Sequence, residues 1–220
     1  IMTKILKNST LIFMLLVLPL TSFAQKDVTQ FLGIPVDGSK SEMIQKLKEK
    51  GFTTSQYNKD VLNGEFNGID VNLYIVTNNN KVCRIMVVDV NTIGETDIKI
   101  RYNKLLQQFK NNKNYSPADL VNNSIPEGED ISYELVVKKK RYEAVFYQKP
   151  VDYESLNLEL ESIYKKEKIT AEDYDRVSVV KKEMLNFNKV VWFMISDKNG
   201  KYGIALYYDN ELNRANGEGL

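Results

Sequence analysis

"KVVWFMISDKNGKYGIALYY", residues 189–208, decides the fold: two alternating runs flank an Asn199-Gly200 pair. Asn-Gly between apolar runs marks a tight β-hairpin, because both turn positions need a positive φ that these residues tolerate. A loop of two residues or of four gives the same facing. Val191, Phe193, Ile195, Ile204, Leu206 and Tyr208 then share one strongly apolar face, and Trp192, Met194, Ser196, Gly203, Ala205 and Tyr207 share the reverse. Two readings of the reverse face stand side by side. Large aromatics at one end and a Gly203/Ala205 floor at the other outline a shallow binding groove for a sugar ring or a peptide. Alternatively, Gly203 and Ala205 let a helix pack closely, and Trp192 and Tyr207 form a cross-strand pair inside a second core.

Upstream, the same parity argument applies to residues 69–77 and 81–90, which flank Asn78-Asn79-Asn80. A three-residue loop groups Ile69, Val71, Leu73 and Ile75 with Cys83, Ile85 and Val87, whereas a two-residue loop mixes polar and apolar groups. The expectation is therefore a three-residue loop with Cys83 inward and inert. Residues 131–138 and 141–148 are expected to form a further hairpin, with Tyr133, Leu135 and Val137 aligned with Phe146, Ala144 and Tyr142. Its basic tip, Lys138 to Arg141, reads as solvated edge protection or as a grip for phosphate or sulfate.

Helices are punctuated clearly. Ser39-Lys40-Ser41-Glu42 fits a capping box, and Gly51-Phe52 fits a Schellman stop, framing a helix over 40–50. The preceding Gly38 turn lacks the spacing of a phosphate loop or a dinucleotide fingerprint, so helix initiation is favoured over an anion cradle. Ile98, Tyr102, Leu105, Leu106 and Phe109 recur at helical spacing over 96–110. Ser116-Pro117-Ala118-Asp119 reads as the start of a short helix. Two more helices follow, one with a Leu156, Leu160, Ile163 stripe and one capped at Thr170 and carrying Tyr174, Val177 and Met184. The sum is an α+β fold, antiparallel hairpins in one or two sheets with amphipathic helices packed against them.

The first residues have the zones of a secretory leader: Lys4 and Lys7, an apolar run over 11–18, then Ser22-Phe23-Ala24. Cleavage after Ala24 is expected, since the run is too short for roughly 30 Å of hydrocarbon. The organisation expected is a leader over 1–24, an N-terminal α+β half over 25–115 and a C-terminal half over 116–220, or one continuous domain. The product expected is an exported protein, periplasmic or secreted, with no transmembrane segment after cleavage. Loss of two lysines takes the formal charge from +1 to −1, which argues against nucleic acid as a partner.

Histidine is absent from all 220 residues, which excludes Ser-His-Asp and Cys-His catalysis and imidazole metal sites. No metal site, cofactor or catalytic residue is expected. The leading expectation is a non-catalytic binding protein for another protein or a peptide, using Trp192, Tyr207, Met194, Gly203 and Ala205. One alternative is a carboxylate-dependent glycan hydrolase drawing on Asp70, Asp89, Asp197 and Asp209. Another is a carbohydrate-binding module built on Trp192, Tyr207 and Tyr147.

"FLGIPVDGS" near the mature N-terminus and "YYDNELNRANGEGL" at the end, with "LNGEFNG" and "VVWFMI", resemble a family of exported bacterial hypothetical proteins. That resemblance spans nearly the whole mature chain and implies export, with no activity attached. More distantly, a helix followed by an antiparallel meander is similar in topology to domains of the β-lactamase-inhibitor-protein type, which implies protein binding.

Overall fold

The computed structural model describes residues 27–119, 123–184 and 189–215, which form an α+β fold. Strands β1 (Gln30–Phe31) and β2 (Ile34–Pro35) make a small antiparallel ribbon. The remaining strands are β3 (Thr53–Thr54), β4 (Val61–Phe66), β5 (Ile69–Asn78), β6 (Lys81–Asp89), β7 (Tyr115–Pro117), β8 (Glu143–Gln148), β9 (Lys189–Lys198) and β10 (Lys201–Asn210). They form one antiparallel sheet in the order β3-β4-β5-β6-β10-β9-β8-β7. The helices are α1 (Lys40–Glu49), α2 (Glu95–Asn111), α3 (Ile131–Val136), α4 (Tyr153–Tyr164) and α5 (Ala171–Met184).

The strand order reads inward from either edge to a seam between β6 and β10. Each side of the seam pairs a helix with four later strands: α1 then β3 to β6, and α2 then β7 to β10, with α3 inserted before β8 and α4 and α5 before β9. Helix α1 rests on β5 and β6, and α2 rests on β7 and β10. Both helices cover the same face, where Met43, Leu47, Tyr102 and Leu106 meet Leu73, Ile85, Phe193 and Leu206 in one continuous core. Helices α4 and α5 pair with each other around Leu156, Leu160 and Val180; Tyr174 of the expected stripe is exposed instead.

Helix α1 is stopped and started as its sequence dictates. Ser39 accepts from the Glu42 amide and Glu42 reaches back to the Ser39 amide. Phe52 N–H donates to Leu47 O and Gly51 N–H to Lys48 O, with Gly51 at φ +97°, the two bonds of a Schellman stop. The cradle reading of the turn fails here because the chain's own Glu42 carboxylate fills it. Those Ser39 bonds, backbone first, hold the Glu42 pKa below its ordinary value.

Three local expectations are corrected. The β5–β6 loop has two residues, Asn79 and Asn80, both at positive φ, with a bulge in the ladder opposite Val76 and Thr77. The extra residue keeps Ile75 opposite Ile85 and Leu73 opposite Val87, so the apolar faces match despite the shorter turn. Cys83 is buried as expected, 7% exposed, and stands beside the main apolar cluster rather than within it. It is buried in a recess with Val76, Arg84 and Arg214, its thiol 3.5 Å from Val76 O, and burial pushes its pKa up. Residues 131–136 form α3 rather than a strand, capped by Asp130, whose Oδ1 accepts from the Tyr133 amide at 2.8 Å. Alternation at 131, 133 and 135 also contains an i,i+4 pair, and Ile131 with Leu135 faces the core in the helix. Ser116 and Pro117 sit in the edge strand β7, not a helix, because Tyr115 pairs with Gln148 and its ring packs on Phe109 at 4.9 Å. Part of that expected helix, residues 120–122, lies outside the described residues.

Residues 29–37 and 208–213 meet in space. Phe31 packs edge-on against Tyr208 at 4.9 Å, the Asn210 side chain donates to Val36 O at 2.8 Å, and Asn213 donates to Asp37 and to Val82 O. Thr29 Oγ1 donates to Asp209 O. Within the described residues these segments clasp the β1–β2 ribbon and helix entry to the end of β10.

Candidate binding face

Sheet pleat sends alternate residues away from the core, and no member of either apolar cluster covers them. The pairing registers assemble them into rows that cross the seam. The central row runs Val61, Tyr74, Met86, Tyr207, Trp192, Val145 over six strands. One side carries Val76, Arg84, Asp209, Val190 and Tyr147. The other carries Asn63, Asn72, Val88, Ala205, Met194 and Glu143. Six strands span roughly 24 Å at ordinary strand spacing. Tyr74, Met86, Val88, Val145, Trp192, Met194 and Tyr207 are all half-buried.

All five residues expected at a site lie on this face. Trp192 and Tyr207 are directly opposite each other and stack at 3.9 Å between centroids, 10° from parallel. Met194 opposes Ala205 and Ser196 opposes Gly203. A side chain added at Gly203 would meet Asp89 and Ser196, not a helix. The cross-strand aromatic pair is therefore present without the second core that the helix-packing alternative required.

Sequence reasoning missed the group that holds the pair in place. Asp209, 1% exposed, accepts from Arg84 Nε at 2.5 Å, Arg84 Nη2 at 2.8 Å and Trp192 Nε1 at 2.9 Å. The Arg84 guanidinium lies 5.0 Å from the Tyr207 ring centre and 5.7 Å from that of Trp192. Its pKa is raised, first by the hydrogen bonds to Asp209, so the cation is permanent. With two rings, a guanidinium and a carboxylate fixed by one another, little side-chain entropy remains to be lost on contact with a partner. Met86, Tyr74 and Val88 join the face only through pairing across β5, β6 and β10, which local pattern does not encode.

The proposed acids do not converge. Asp209 and Asp89 lie on opposite faces, and each is held by an arginine: Arg101 donates to Asp89 at 2.5 and 2.8 Å. Asp197 caps the β9–β10 turn through the Gly200 amide, and Asp70 sits exposed at the start of β5, paired across the ladder with Glu65. Tyr147 is on the same face as Trp192, beside Val190. Among the described residues no group of three His, Cys, Asp or Glu side chains is placed to hold a metal ion, and no helix is long and apolar enough to cross a membrane. The basic tip is used internally: Lys138 pairs with Glu134, Lys140 with Glu129 and Arg141 with Glu143.

No family model, curated protein or solved structure matches this chain.

Proposed function

We propose that the protein is a non-catalytic binding protein, exported to the periplasm or beyond, that meets another protein or a peptide on the open sheet face. The observation that carries this reading is the composition of the central rows: Trp, Tyr, Met and Arg side chains, half-exposed and pre-positioned around Asp209. These residue types dominate the energetics of protein interfaces, because they combine large apolar area with a polar handle. A glycan-binding role is less well supported, since Trp192 and Tyr207 turn one ring face toward each other instead of lying flat as a sugar platform. A hydrolase is less well supported again, because its acids are separated by the sheet and neutralised by Arg84 and Arg101.

Site-specific photocrosslinking tests the proposal. A benzophenone side chain in place of Met194 or Tyr74, in cells that export the protein, is expected to give discrete protein adducts that the same group at Lys182 on α5 does not. Adducts that are equal at all three positions, or absent from the sheet positions, overturn it.

A further inference from the structure

On the other side of the sheet, a groove of about 840 Å³ lies between the ends of α1, α2, β4 and the β1–β2 ribbon. Its walls are unusual in kind. Six carboxamides line it, Gln30, Asn67, Gln108, Asn112, Asn114 and Gln148, against a single cation, Lys50, and a single carboxylate, Glu65. Phe52, Phe66, Phe109, Tyr115 and Tyr208 supply the aromatic part, of which Phe66 and Tyr115 are half-buried.

Several of these amides are held in place. Gln148 accepts from the Gln30 amide at 2.7 Å and donates to Gln30 O at 3.1 Å, and Asn67 donates to Gln108 at 2.9 Å. Gln30 and Asn114 have no side-chain hydrogen-bond partner among the described residues, so their donors and acceptors remain for a ligand. The carboxy-terminal ends of both α1 and α2 reach this groove, at Lys50 and Asn112. Helix ends of that polarity disfavour anions.

Carboxamides donate and accept at once, without charge, which matches hydroxyl and acetamido groups; aromatic ring surface matches the C–H face of a pyranose. The volume falls within the ordinary range for small ligands, about 300 to 1,000 Å³. We infer that this groove binds a neutral saccharide of one or two rings, at a site separate from the open sheet face and independent of its role.

The test is an NMR titration of the isotope-labelled full chain with glucose, maltose, N-acetylglucosamine and N,N′-diacetylchitobiose, beside glucose 6-phosphate and glucuronate as anionic counterparts. At least one neutral sugar is expected to shift the side-chain amides of Gln30, Asn67, Gln108 and Asn114 with a dissociation constant below about 10 mM. The anionic sugars are expected to bind more weakly. Asn114→Ala, at an exposed position, and Gln30→Ala are each expected to weaken that binding on the order of fivefold with the melting temperature unchanged, and Asn114→Trp to abolish it by filling the groove. No shift with any neutral sugar to about 10 mM, shifts confined to another surface, tighter binding of the anionic sugars, or variants that bind normally each overturn the inference.

Discussion

Asp89 and Asp209 lie on the two strands that meet at the seam, each buried and each gripped twice by one arginine, yet they serve opposite sides of the sheet. Arg101 comes down from α2, and Asp89 also accepts from the Ile204 amide at 2.9 Å, so that pair ties a helix to the sheet. Arg84 comes from the neighbouring strand, and Asp209 accepts from the Trp192 indole, so the second pair ties surface side chains to one another. The same chemistry is architectural where an element lies on top and organisational where, among the described residues, none does.

Substitution is expected to separate the two pairs. Asp89→Ala leaves Arg101 unpaired beneath the helix and should lower unfolding stability by about 3 kcal/mol or more in urea titrations. At the other clamp, Arg84→Ala and Trp192→Ala should each weaken affinity for the partner identified by crosslinking by about 2 kcal/mol, on the order of thirtyfold by calorimetry. The stability loss should stay at about 1 kcal/mol for Trp192→Ala, whereas Arg84→Ala, which strips the buried Asp209 carboxylate of its cation, should also cost about 3 kcal/mol. Asp209→Asn should lower stability by about 1 to 2 kcal/mol and shift the Trp192 fluorescence as the indole bond weakens. Equal stability losses for Asp89→Ala and Asp209→Asn would break the distinction between them.

Two smaller effects sharpen it. Cys83, whose thiol is pushed up in pKa by burial beside Arg84, should react with Ellman's reagent at pH 8 at least about tenfold more slowly than in the unfolded chain. Fast labelling would show that the Arg84 recess opens readily. At the remote α4–α5 hairpin, Asp173 is held at a pKa of about 2, first by Lys166, then by the Thr170 backbone and hydroxyl. A depressed carboxylate stabilises above its unfolded pKa, near about 4, and that contribution fades as pH falls toward about 2. The melting-temperature difference between the wild type and Asp173→Asn should therefore be present at neutral pH and vanish in strong acid, scored by circular dichroism.

Much of the fold is legible from local pattern. The β9–β10 hairpin, α1 with both its stops, and the α4 stripe follow from turn chemistry, caps and apolar period, because each is specified within about twenty residues. The errors share a cause. Residues 131–136 satisfy both strand and helix periods, and only the Asp130 cap and the core contact of Ile131 decide between them. Tyr115 and Ser116 become strand because β8 offers an edge and Phe109 offers a ring, neither of which is local. The candidate face was half legible: Trp192, Met194, Gly203, Ala205 and Tyr207 fall together from one hairpin. Arg84, Met86 and Tyr74 arrive through the β6–β10 seam, where Val87 pairs with Leu206, and alternation alone does not say which strands become neighbours. Asp209 looked like a strand-end acid, and only the seam shows it to be the residue on which the aromatic pair depends.

The sheet also ends on stubs. Its outermost strands are the two residues of β3 and the three of β7, the latter closing on Pro117. The edges are thus broken into short runs, β3 pairing only Leu62 and Asn63 of β4 and β7 only residues 146–148 of β8, which gives another chain's strand a poor template, and proline removes a donor. Pairing of sheets edge to edge into ribbons is thereby discouraged, even though among the described residues the sheet turns an aromatic pair outward.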